Sequence, residues 1–176
     1  TELGRFVLDD DVEANGESWM IARCFEQLRR IGVTGVISHS DPVARTTSEG
    51  GIVFPGHLGT IYMATNANYL GRATARTLRL LPDGRVFSDR ALQKIRAADC
   101  GWRYAVQELV NAGAPPLLDL ENRKPWLLEW LPKVTRPLRH PGNHRYVWAL
   151  NRRDQKYLPT SLAYPRICAP HDIAKC

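Results

Sequence analysis

Three side chains able to move a proton fall close together in this chain: Asp41, His57 and Tyr62. Asp41 follows Ser38-His39-Ser40 and precedes Pro42, which holds it in an extended turn. A carboxylate placed so can act as a general base or a metal ligand, or it can cap a local Asx turn. His57, with Gly56 and Gly59 nearby, can be an acid–base group or a ligand, or a loop histidine with no role. Tyr62, Asn66 and Tyr69 recur at i, i+4 and i+7, a spacing that predicts one helix face tipped with two phenols and an amide. The stretch Gly56–Gly71 contains no Asp, Glu, Lys or Arg, so it does not read as a solvated helix. It suits the wall of a small-molecule or base pocket, and equally a core helix whose tyrosines bond at the rim.

These groups need elements to hold them. Phe6-Val7-Leu8 reads as a short strand. Asn15-Gly16-Glu17-Ser18 reads as a helix start, with Met20, Cys24, Leu28 and Ile31 as its apolar stripe and Gly32 as its stop. Val33–Ser38 reads as a second strand. Strand, helix, strand predicts a βαβ unit with a parallel pair, and ligand sites in such units lie beyond the strands' carboxyl ends, where Asp41 stands. Residues 43–55 are polar and glycine-bearing and read as a mobile loop. Pro82-Asp83-Gly84, between Thr77–Leu81 and Arg85–Phe87, predicts a hairpin. Ser88 caps a basic helix through Arg96, Trp102–Asn111 forms another, and Trp126–Leu131 a brief third. His140–His144 reads as a turn and Tyr146–Leu150 as a last strand. The expected division is a domain over residues 1–150 and a proline-punctuated tail over 151–176.

Charge is unevenly placed along the 176 residues, whose net charge is +6. Residues 1–50 hold nine acids and five bases, whereas 51–176 hold nine acids and nineteen bases. Lys133, Arg136, Arg139, Arg145, Arg152 and Arg153 share a window without an acid. Such a run fits phosphate contacts, because nucleic-acid affinity comes largely from displaced counterions; solubility alone also produces basic chains. Arg72, Arg76 and Arg79 are further candidates for phosphate contact, or simply solvated charges. No run has the length of a membrane span and no export signal stands at the start, so a cytoplasmic location is expected. The first residue is not Met, so the start is read as either trimmed or incomplete.

The cysteines (Cys24, Cys100, Cys168 and Cys176) have no regular spacing and are expected to be reduced. Cys168, His171 and Cys176 could chelate zinc, but three residues so spaced favour no metal site. Walker, dinucleotide-binding and serine-elbow motifs are absent.

The order strand, helix, strand ending in Ser38-His39-Ser40-Asp41, followed by His57-Leu58-Gly59-Thr60-Ile61-Tyr62-Met63-Ala64-Thr65-Asn66 and Tyr69-Leu70-Gly71, resembles the Mom-type DNA-modification proteins of bacteriophages. These are similar in turn to GCN5-related N-acyltransferases. The likeness runs over roughly residues 3–81, with a looser echo in Arg139–Arg145. It implies an α/β fold, with an N-acyltransferase-like mixed sheet flanked by helices and a C-terminal extension. It implies transfer of a methylcarbamoyl (acetamido) group to N6 of adenine in DNA, which shields phage DNA from restriction in the bacterial host cell. Arg5, Asp41 and Tyr62 match positions held functional in that family, and Ser18 does so more weakly. On this reading Asp41 takes the N6 proton, Tyr62 protonates a leaving group or holds the base, and Tyr69 or Trp19 stacks on an adenine drawn from the duplex. His57 completes the catalytic candidates, and Tyr69, Asn66, Arg72, Arg76, Arg139 and Arg145 are the substrate-binding ones.

The coenzyme A loop of acyltransferases is matched here by Asp11–Ser18, whose acids repel a pyrophosphate, so acetyl-coenzyme A fits poorly as donor. The donor stays unassigned, and iron or another metal at His57 and Asp41 is an open alternative. The strands that precede this unit in acyltransferases would lie before Phe6, so residues 82–176 are expected to replace them unless the chain is trimmed. Rival readings are an acyl-coenzyme A-dependent N-acetyltransferase on a small amine and a non-catalytic DNA-binding or phage structural protein. Oligomeric state is not encoded in any motif.

Overall fold

The computed structural model describes residues 1–4, 8–9 and 11–166. In chain order its elements are β1 (Glu2–Leu3), α1 (Gly16–Arg30), β2 (Gly35–Ser40), β3 (Arg45–Thr46), β4 (Ile52–Phe54), α2 (Thr60–Ala64), β5 (Asn68–Arg72) and β6 (Arg76–Leu80). There follow β7 (Val86–Phe87), α3 (Asp89–Ala97), α4 (Trp102–Asn111), α5 (Arg123–Val134), β8 (Arg136–His140) and β9 (His144–Ala149). The chain is a mixed α/β protein that divides into two compact units.

The first unit takes Thr1–Pro42, Gly56–Thr74 and the chain from Pro141 onward. Its sheet has the order β1-β2-β9-β5. β1 and β2 run parallel, Glu2 opposite Ile37, as the strand–helix–strand pattern predicts, while β9 is antiparallel to both β2 and β5. The expected first strand at Phe6–Leu8 lies largely outside the described residues, as do Arg5, Cys168, His171 and Cys176; the strand that pairs is Glu2–Leu3.

Helix α1 begins after Asn15, with Glu17 in its first turn and Arg29 and Arg30 in its last, the arrangement that complements the helix dipole. Gly32 stops it with φ +85°, a conformation glycine adopts without strain. The stripe is displaced from the expected one. Ile21, Phe25 and Leu28 meet the core, whereas Met20 and Ile31 are exposed. Both sets satisfy helical spacing, and the strand pairing decides between them.

The helix expected to carry Tyr62, Asn66 and Tyr69 is corrected more sharply. α2 stops at Ala64, Asn66 reverses the chain with φ +60°, and Asn68–Arg72 is a strand on β9. Tyr62, Asn66 and Tyr69 therefore do not share a helix face. Ala64 and Ala67 favour a helix, yet Asn66 takes a positive φ and the ladder with β9 wins.

The second unit takes Val43–Pro55 and Ala75–His140. The segment expected to be a loop contains the small hairpin β3–β4, tied by Thr47 N to Gly51 O at 2.8 Å. β6 and β7 close the hairpin predicted at Pro82-Asp83-Gly84, and β8 pairs on the other side of β6. Ser88 Oγ accepts from Ala91 N at 3.1 Å and caps α3 as expected. α3, α4 and α5 bury Leu92, Ile95, Leu109, Trp126 and Leu131 in one core. α5 is longer than predicted: Pro125 sits in its first turn, where a missing N–H costs nothing.

Candidate functional site

Alternation along β2 and β9 builds the candidate site in the first unit. Val36, Ser38 and Ser40 point inward from β2, and His144, Tyr146 and Trp148 from β9. Register sets Ser40 opposite His144 and Ser38 opposite Tyr146, while β5 sets Tyr69 opposite Tyr146. The result is one sheet face carrying an aromatic row with polar tips. Tyr62 covers it from α2, its ring 5.3 Å from Tyr146 and 5.6 Å from Trp148.

The loop before α2 is clamped to this face. His57 N donates to Asp41 O at 2.8 Å, and the Tyr146 hydroxyl donates to Leu58 O. Gly59, at φ +77°, lets the chain pass: a Cβ there would lie 2.6 Å from Tyr62 Cδ2 and 3.2 Å from Ser40 Oγ. Backbone contacts thus bring the His57 segment to Asp41, just past the end of β2, and Gly59 against Tyr62 and Ser40. Asp41 is half-buried, His57 exposed, and Tyr62 only 5% exposed.

Burial shapes the chemistry of this face. His144 Nδ1 lies 2.6 Å from the Tyr69 hydroxyl, and burial, helped by Arg72 and His57, pushes the imidazole below its ordinary pKa. It is therefore neutral at pH 7. Burial raises Tyr69, against the pull of Arg72 and Arg145, and pushes Tyr146 up to about 12, partly opposed by the Ser40 hydroxyl. Both phenols keep their protons. Ser40 Oγ and His144 Nε2 are buried without a hydrogen-bond partner among the described residues; the Ser40–Tyr146 approach does not reach hydrogen-bond geometry. Orphaned buried polar atoms are costly, and they commonly mark a catalytic or ligand-binding role or an ordered water.

The remaining candidates fall elsewhere. Arg72 is exposed at the end of β5, opposite His144 in register. Arg145 faces away from His144 and Tyr146 along β9 and donates to Leu70 O at 2.9 Å. Ser18 and Asn66 line a separate cavity of about 400 Å³ beside Phe25 and Trp148. Arg76 and Arg139 are exposed on the paired strands β6 and β8 of the second unit. Sequence reasoning passed over Ser40, His144 and Tyr146. The signal was present in the alternation Ser38-x-Ser40 and His144-x-Tyr146-x-Trp148, but it becomes a site only when two strands are paired.

Among the described residues no group of three or more His, Cys, Asp or Glu side chains gathers as a metal would need. Cys24 and Cys100 are not disulfide-bonded. Among the described residues no helix is long and apolar enough to cross a membrane.

The first unit thus presents a mixed sheet with a neutral histidine, un-ionised phenols and a carboxylate just past a strand end. The model of the Mom protein family matches residues 1–166, and the chain belongs to that family, hence to the phage DNA-modification proteins its sequence resembles. DNA is accordingly its associated substrate. No curated protein and no solved structure matches the chain.

Proposed function

We propose that this protein transfers a methylcarbamoyl group to N6 of adenine in DNA, within the cytoplasm of a phage-infected bacterium, on a scaffold related to the N-acyltransferases. The group is taken in its acetamido form, –CH2–CO–NH2, and N6 attacks the methylene carbon of a donor that carries it on a leaving group. The N6–C bond forms, the bond to the leaving group breaks with its electron pair, and the N6 proton passes to a base. The exocyclic amine is a weak nucleophile, so the base is required as the bond forms. Asp41 is that base, Tyr62 holds it or protonates the departing group, and neutral His144, opposite Ser40 in register, is a relay.

The observation that supports this reading best is the pair Ser40–His144: two polar atoms buried unsatisfied, opposite one another on β2 and β9, with Ser40 the residue before Asp41. Arg72 beside them, and the exposed Arg76 and Arg139, offer charge for the DNA backbone. The test is to express the protein in bacteria, digest the DNA to nucleosides and weigh them. A deoxyadenosine heavier by one carbamoylmethyl group, absent with Asp41→Asn, is expected. Unmodified deoxyadenosine alone, from cells containing folded protein, overturns the reading.

A further inference from the structure

The second unit carries a groove that the proposed chemistry does not use. Its volume is about 1170 Å³, and it lies between α3, α5 and the Thr77–Arg79 edge of β6. The floor is apolar. Leu92, Leu127 and Leu131 line it from the core side, and Leu128 lines it while remaining 82% exposed. A leucine so exposed on a groove wall keeps its apolar surface in water until something covers it.

The wall carries charge of one sign. Arg79, Arg96 and Lys124 line the groove and no acid does. Arg79 is offset by Asp89 at 3.1 Å, but Arg96 and Lys124 pair with no acid among the described residues. They stand at the same end, because Arg123 Nε donates to Arg96 O at 3.1 Å and Lys124 is the next residue. Arg123 and Lys124 also open α5, whose first turn has no acid. Cations there oppose the helix dipole, so this charge is not placed for stability. The groove has a cationic end and an apolar body. That polarity fits a molecule with one anionic head and an apolar tail, whereas an acidic helix would meet cations along its whole length.

We infer that this groove is a binding site for a small anionic amphiphile, its phosphate or carboxylate held by Arg96 and Lys124 and its apolar body on Leu127, Leu128 and Leu131. The probe is 1-anilinonaphthalene-8-sulfonate, titrated into the full-length protein by fluorescence beside its uncharged congener N-phenyl-1-naphthylamine. Saturable one-to-one binding of the sulfonate is expected. Arg96→Glu with Lys124→Glu should weaken it about tenfold or more while sparing the neutral probe. Leu128→Asp should weaken both. All three positions are exposed, so folding survives, and circular dichroism checks it. Displacement by decanoate assigns a carboxylate head, by decyl phosphate a phosphate head, and by both an anionic head of either kind. Sulfonate binding indifferent to the charge reversal, displacement by neither amphiphile, or displacement by duplex DNA would overturn the inference.

Discussion

The Tyr69 hydroxyl meets His144 Nδ1 at 2.6 Å and locks β5 to β9 across 75 residues of sequence. Replacing Tyr69 by Phe keeps the ring 5.3 Å from Tyr146 and removes only that bond, leaving a buried imidazole nitrogen unsatisfied. The expected cost is about 1–3 kcal/mol. Urea unfolding measures it, with Tyr157→Phe, at an exposed tyrosine, as a control expected within about 0.5 kcal/mol of the parent.

Burial of His144 makes stability fall on the acid side. The folded imidazole has a pKa below 6.5, the value for the unfolded chain. As pH drops through 6.5 the unfolded chain binds a proton here before the folded one does, so stability is lost until the folded imidazole also protonates. Above 6.5 the effect is absent. Arg72 and His57 deepen it, since each disfavours a second positive charge. Urea midpoints between pH 8 and pH 5 should fall less steeply for His144→Gln than for the parent.

On the proposed chemistry Asp41→Asn removes the base without changing size at a half-buried position. General-base losses run to about 100-fold or more, so modified adenine should drop by that factor. Tyr62→Phe keeps the ring contacts with Tyr146 and Trp148 and tests the phenol alone. Nucleoside mass measurement on DNA from matched expressions reads both. Undiminished modification by Asp41→Asn removes it as the base.

Gly59 and Gly32 both have positive φ but differ in surroundings. A Cβ on Gly32 meets nothing within 4 Å, whereas one on Gly59 presses on Tyr62, Tyr146 and Ser40. Gly32→Ala should cost about 1–2 kcal/mol for its backbone alone. Gly59→Ala should cost more and lower DNA modification as well, because Tyr62 must move. Equal unfolding costs for the two would show that the loop yields freely.

What could be read from sequence was local. Ser88 before α3 and Pro82-Asp83-Gly84 between β6 and β7 each specify a boundary within four residues, and each stands where expected. The parallel pair followed from strand, helix and strand in succession. Tyr69 shows the limit, because seven residues after Tyr62 it fits a helix as well as a strand, and pairing with Tyr146 decides. His144 was read as part of a turn, since its partner lies far off in sequence and its burial depends on β2 and β5 together. The division into two units was equally hidden, for each is assembled from separated stretches of chain.

The stretch from Pro159 offers the last case, since β5 is an edge strand and this segment covers it. Tyr69 N donates to Ser161 Oγ at 3.0 Å, Leu162 N to Tyr69 O at 2.9 Å, and the Tyr164 hydroxyl to Ala67 O at 2.7 Å. Two of these bonds occupy the backbone of Tyr69, the residue that holds His144. Deleting residues 159–176 should therefore cost about 2–4 kcal/mol at 0.5–1.5 per bond, and should expose an edge open to pairing with other chains. Light scattering should show association of the truncated protein, and urea unfolding the lost stability. Tyr164→Phe, which removes one bond and leaves the edge covered, should cost about 0.5–1.5 kcal/mol without association. A truncated protein as stable and monodisperse as the full chain would show that β5 needs no cover.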